Sequence, residues 1–160
     1  MSHALGVSDT TRTTSPTDVR RGNFGPNDHP AWGHDRASEW LGVTITEYAP
    51  GYAKGHMPVR EDMLNGFNIA HGGMVFALAD SIFAWTCNSP DGDGSTITVA
   101  QGADINFVSS PQLGAILTAT GHLRASTGRS GLYDITVVDD QGNLVAEFRC
   151  RSRTIPNPNR

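Results

Sequence analysis

Asp80 is the one formally charged side chain between Asp62 and Asp91, and it sits in the run Phe76-Ala77-Leu78-Ala79-Asp80-Ser81-Ile82-Phe83. A carboxylate inside an apolar helix costs free energy unless it is paired or used in chemistry. It lies too far along the run to cap the helix start. Two readings of the residue follow. One is structural: an ion pair with an arginine, or a hydrogen bond to a neighbouring strand. The other is functional: a general base or nucleophile with a perturbed ionisation.

His71-Gly72-Gly73 stands just before the same run. Paired glycines let the backbone approach a ligand with no side chain in the way. The free N–H groups of a helix start, with the positive end of its dipole, favour a developing negative charge. That is the physical description of an oxyanion hole; the alternative is a tight loop that needs positive φ. Gly72 and Asp80 are eight positions apart, which is about 12 Å of helix axis. One chain therefore cannot bring both groups to one substrate atom. A homodimer resolves this, with the glycine from one helix and the carboxylate from the other. Asn65, six residues before the histidine, is able to orient a water or a carbonyl, although Asn65-Gly66 is equally a turn dipeptide.

The elements that must position these groups read as follows. Residues 72–88 form the one strong helix, rich in Ala, Leu, Met, Phe and Ile, without proline, and apolar on nearly every face, so it is expected to be buried on most sides. Strands are expected at 43–46, 52–59, 96–108, 115–125, 132–139 and 144–155, from apolar alternation bounded by Gly- and Pro-containing turns. A short helix is expected from Pro30 through Trp40, stopped by Gly42. The fold class is α+β: a curled antiparallel sheet wrapped around one long central helix, with a short N-terminal helix. Residues 1–28 lack an apolar period and are expected to form a disordered tail, leaving 29–160 as the folded domain.

Composition excludes several classes. Twelve Lys and Arg against sixteen Asp and Glu give a net charge of −4, which argues against a general nucleic-acid binder. No apolar run approaches the roughly 20 residues of a membrane span, and no leader pattern opens the chain. Two cysteines do not staple a secreted scaffold, so a cytoplasmic location is expected. The six histidines show no metal-ligand spacing.

Met63-Leu64-Asn65-Gly66, His71-Gly72-Gly73, Phe76-Ala77-Leu78-Ala79-Asp80 and Phe83-Ala84, with Cys87-Asn88-Ser89 and Gly131-Leu132-Tyr133-Asp134-Ile135, resemble the hotdog-fold acyl-CoA thioesterases, and among them the phenylacetate-degradation branch. The likeness runs from about residue 30 to about residue 155. It implies hydrolysis of aryl-acetyl (phenylacetyl or hydroxyphenylacetyl) CoA thioesters. Asp80 would be the general base or nucleophile, Gly72 the oxyanion donor through its N–H, His71 a support for the glycine loop, and Asn65 the group that orients water or thioester. Gly73 and Asn106 would contact substrate, Asn106 from the strand that also carries Gln101 and Asp104. Arg129, in the turn 127–131, would meet a coenzyme A phosphate. The resemblance implies no cofactor and no metal, and a homodimer with shared sites, paired again into a tetramer. The rival functions are a hydratase or dehydratase of the same fold and a non-catalytic acyl-CoA-binding regulator. The lone Asp80 fits hydrolysis better than the first, and the neutral tail lacks the DNA-binding element the second needs.

Overall fold

Alternating burial marks the strands. In β3 (Tyr52–Pro58) Ala53, Gly55 and Met57 point inward, and in β6 (Ser130–Val138) Tyr133, Ile135 and Val137 do so. The computed structural model describes residues 16–88 and 90–160. Within them the order is β1 (Arg20–Phe24), α1 (Arg36–Leu41), β2 (Thr44–Ala49), β3, α2 (Gly72–Cys87), β4 (Thr96–Phe107), β5 (Ile116–Thr127), β6 and β7 (Leu144–Pro156). The strands form one sheet in the order β1-β2-β3-β5-β6-β7-β4, antiparallel throughout.

The sheet curls around α2, which buries Val75, Leu78, Ala79, Ile82, Phe83, Trp85 and Thr86. Each fully buried large apolar side chain contributes about 1.5–3 kcal/mol of transfer free energy. Helix and sheet come close at two glycines. A Cβ on Gly55 would stand 2.8 Å from Ile82 Cδ1, and one on Gly121 would overlap Thr86 Oγ1. The expected architecture is the observed one.

Two expectations need correction. Residues 1–15 of the expected tail lie outside the described residues. Its later part is not disordered: Arg20–Phe24 pairs with β2 as β1. Phe24 meets Tyr48 edge-on at 5.0 Å, and Arg20 reaches Asp91 at 2.6 Å. A backbone ladder, rather than an apolar stripe, holds this strand. The short helix starts at Arg36, not near Pro30. Asp35 caps it by accepting the Ser38 N–H at 3.0 Å, and Gly42 ends it in the left-handed conformation at φ +74°.

The segment expected to be helical instead closes the C-terminal end of α2. His29 is buried; its Nδ1 accepts the Ala31 N–H at 3.0 Å and its Nε2–H donates to the Asn88 carbonyl at 3.0 Å. Its ring stacks on Trp32 at 3.7 Å and meets Trp85 edge-on at 4.6 Å. With Nδ1 accepting and Nε2–H donating, both ring nitrogens are occupied by the neutral form, and burial lowers the proton affinity of His29.

β4 is one of the two edges of the sheet, opposite β1. Ile105 and Ala103 pair with the buried Phe148 and Cys150, so they face α2, while Asp104 and Asn106 pair with Arg149 and Glu147 on the outer face. A bulge between Ala100 and Gly102 inverts the alternation.

Candidate active site

The start of α2 is built by the loop before it. The His71 N–H donates to the Met63 carbonyl at 2.8 Å and the Ala70 N–H to the Pro111 carbonyl at 2.9 Å. Asn65 Oδ1 accepts the Phe67 N–H at 2.9 Å and the Ile69 N–H at 3.4 Å. Asn65 thus shapes the turn with its carbonyl oxygen, leaving its amide nitrogen as the group able to orient a water. His71 caps the helix: its Nδ1 accepts the Gly73 N–H at 3.0 Å, and its carbonyl accepts the Met74 N–H at 2.9 Å. Among the described residues the Gly72 N–H has no partner. It is a donor left over at the positive end of a 16-residue helix. The Phe107 ring lies against Gly72, where a Cβ would come within 3.1 Å of Cζ.

Asp80 departs from expectation. It is exposed in the single chain, on a bare stripe of α2 that also carries Gly73 and Phe76, with Ala77, Ser81 and Ala84 half-buried beside it. The helix is apolar all round, but the sheet wraps only part of it. Among the described residues the Asp80 carboxylate has no hydrogen-bond or ion-pair partner, so neither the arginine pair nor the strand hydrogen bond is made within one chain. Partial burial of its base, and then the charge of Asp35, raise its carboxyl above the ordinary carboxylate range. Next to it Ser81 Oγ bonds Ser38 Oγ at 2.8 Å and the Ala77 carbonyl at 2.9 Å, tying α1 to α2.

The structure brings Asn65, His71, Gly72 and Gly73 together and leaves Asp80 about 12 Å further along the same helix. It does not bring Asn106 or Arg129 to them. Asn106 points to the outer face, where its amide donates to Asp104 at 3.0 Å; the bulge in β4 puts it there. Arg129 occupies the tight β5–β6 turn beside Gly128, at φ +56°, and its carbonyl accepts the Thr154 N–H at 2.8 Å. Thr154 pairs with Thr98 of β4, whereas Gly72 lies beside Phe107, so the two are some nine strand residues, or about 30 Å, apart within one chain. Of the outer-face arginines, Arg149 is taken by Asp134 at 2.6 and 2.8 Å, and Arg151 lies across Gly102. Burial pushes the Cys87 and Cys150 thiols upward, so neither is a thiolate nucleophile. Sequence reasoning did not single out Phe107, which packs against Gly72, or Asp35, which caps α1.

Residues 67–146 match the thioesterase superfamily. The chain is 37% identical to the acyl-coenzyme A thioesterase PaaI of Escherichia coli K12 over 129 residues, 81% of this chain and 89% of that one. The solved E. coli PaaI structure, from the phenylacetic acid degradation operon, superposes with a TM-score of 0.75, covering 82% of this chain and 92% of that one at 37% identity. A mutant form of the phenylacetic acid degradation protein PaaI from Thermus thermophilus gives 0.68 at 32% identity, covering 74% and 98%. No helix among the described residues is long and apolar enough to cross a membrane.

Proposed function

This chain belongs to the thioesterase superfamily and is a thioester hydrolase of hotdog fold, and we propose that it hydrolyses aryl-acetyl CoA thioesters, phenylacetyl or hydroxyphenylacetyl, at a site shared between two copies. The observation that carries this is the bare stripe of α2. It begins at a Gly72 N–H and carries, two turns later, a carboxylate, both without a partner among the described residues. The two groups are about 12 Å apart on one helix, so a second α2 running antiparallel would supply the missing half. The 12-residue β4, an open edge with Val99 and Phe107 exposed and Val108 exposed just after it, supports pairing of two copies there. A dimer of such dimers is the assembly we expect.

In this reading the thioester carbonyl oxygen points at the Gly72 N–H. Asp80 of the other copy takes a proton from water as the water oxygen attacks the carbonyl carbon, or attacks that carbon itself to give an anhydride that water opens. The negative oxygen of the tetrahedral species rests on the Gly72 N–H and the helix dipole. The carbon–sulfur bond then breaks and coenzyme A leaves as thiolate, taking up a proton. His71 fixes the glycine loop, the Asn65 amide orients water or thioester, Gly73 gives the acyl thioester close approach to the backbone, and Arg129 meets a coenzyme A phosphate, from the copy whose turn lies nearest.

Free-thiol release from a panel of acyl-CoAs tests the reading. Removal of a general base costs about 10²–10⁴ in rate, so Asp80→Ala should fall by that factor. Full kcat in Asp80→Ala, or no thiol release by wild type, sinks the mechanism. A change in enoyl absorbance would mark a hydratase, and binding without release a regulator. Sedimentation of a fully active monomer would exclude the shared site.

A further inference from the structure

We propose that the groove at the C-terminal half of α2 receives the acyl group, with Trp32 as the wall that selects a flat ring. This rests on the acyl-CoA reading above. The groove encloses about 510 Å³ between the segment after His29, α2 and the start of β4, and is lined among others by Trp32, Asp35, Ala84, Asn88, Thr98 and Val99.

Three observations lead there. The first is continuity with the reacting group. Ala84 is one helical turn beyond Asp80 on the same stripe, about 6 Å along the axis, and the Asp35 charge is close enough to be felt at Asp80. An aryl-acetyl group spans roughly 5 Å from carbonyl carbon to the far ring atom, from bond lengths near 1.5 Å. A thioester carbon held at Asp80 therefore reaches the groove with its ring. The second is the chemistry of the wall. Trp32 stacks one face on His29 at 3.7 Å, meets Trp85 edge-on at 5.7 Å, and donates its indole N–H to the Pro26 carbonyl at 3.1 Å. Its polar atom is satisfied, so what it offers the groove is apolar ring surface, held without freedom to turn. Third, Asn88 has its side chain committed to Ala84 and Thr98 backbone, so Ala84, Ile97 and Val99 are the apolar contacts that the helix and β4 add to the Trp32 wall. A small residue at 84 leaves the width a ring needs.

The readout is the ratio of kcat/KM for phenylacetyl-CoA to that for hexanoyl-CoA, a flexible chain of similar reach. Trp32→Leu should lower the ratio about tenfold, since ring-on-ring contact discriminates beyond mere apolar area, with Trp32→Phe restoring most of it. Ala84→Phe, which leaves the His29–Trp32 stack alone, should raise KM for phenylacetyl-CoA about tenfold or more. An unchanged ratio in folded Trp32→Leu overturns the role of Trp32. An Ala84→Phe enzyme with unaltered phenylacetyl-CoA kinetics overturns the groove. Absence of thiol release by wild type from every thioester instead overturns the underlying thioesterase reading.

Discussion

His71 separates two properties of the helix start that usually travel together, its stability and its chemistry. The side chain caps α2 through one bond, Gly73 N–H to Nδ1 at 3.0 Å. Loss of an N-cap costs about 0.5–2 kcal/mol. Both His71 and Gly73 are exposed, so water replaces part of the lost bond and the lower half of that range applies, about 0.5–1 kcal/mol. For a domain of this size 1 kcal/mol moves Tm by about 2–4 °C, so His71→Ala should melt about 1–4 °C below wild type. The catalytic loss should be larger, because the cap also fixes where the Gly72 N–H points. Losing a whole oxyanion donor costs about 10²–10³, and a donor that is present but unanchored should cost about 10-fold or more. His71→Ser restores a capping oxygen and should recover the melting temperature. His71→Asp caps as well and suits the helix dipole, yet it sets a negative charge beside the developing oxyanion. It should melt at or above the wild-type temperature while losing more kcat than the serine variant. Thermal melting with thiol release at saturating phenylacetyl-CoA reads both properties. Full kcat in His71→Ala, or an aspartate variant that matches the serine variant in rate, would refute the coupling of cap to oxyanion donor.

The Asp80 carboxyl binds its proton more tightly in the fold than in the unfolded chain, first through burial and then through Asp35. As a base it must be ionised, so kcat/KM should rise with pH through a midpoint above the ordinary carboxylate range, and Asp35→Asn, which keeps a capping oxygen, should bring that midpoint down part of the way. The same sign governs stability. The group's favourable contribution is present below the unfolded carboxyl range and is lost as pH rises through the folded one, so Asp80→Asn should melt higher than wild type at neutral pH, the gap closing in acid; a lower neutral Tm contradicts the sign. Gly121→Ala places a Cβ on Thr86 Oγ1 and should cost about 1–3 kcal/mol by overpacking, whereas wild-type stability in urea would show that α2 and β5 have slack.

The elements made by local rules were legible in the sequence. Strands β2 to β7 alternate, glycines stand at their turns, and α2 is a proline-free apolar run. The glycine pair and Asp80 stood out because each breaks the local pattern. What escaped depends on neighbours distant in sequence. β1 carries Arg20, Arg21 and Asn23, almost wholly exposed, and is a strand only because β2 offers an edge to pair with. The exposure of Asp80 is invisible because Phe76 and Ala84 on the same stripe look like core residues. Asn106 was assigned to substrate through the family resemblance of its strand, and one extra residue near Gln101 reverses every side chain after it.

β4 follows α2 directly in the chain but lies at the far edge of the sheet, against β7, with Thr96 opposite Pro156 and Phe107 opposite Ala146. During synthesis β4 therefore emerges with no strand to lie on, and waits until the last one has left the ribosome. Closing such long loops is slow, and an unpaired strand is open to wrong partners while it waits. The strand proposed to recognise a second copy is thus among the last to be framed, so assembly through that edge follows completion of the chain and does not compete with it.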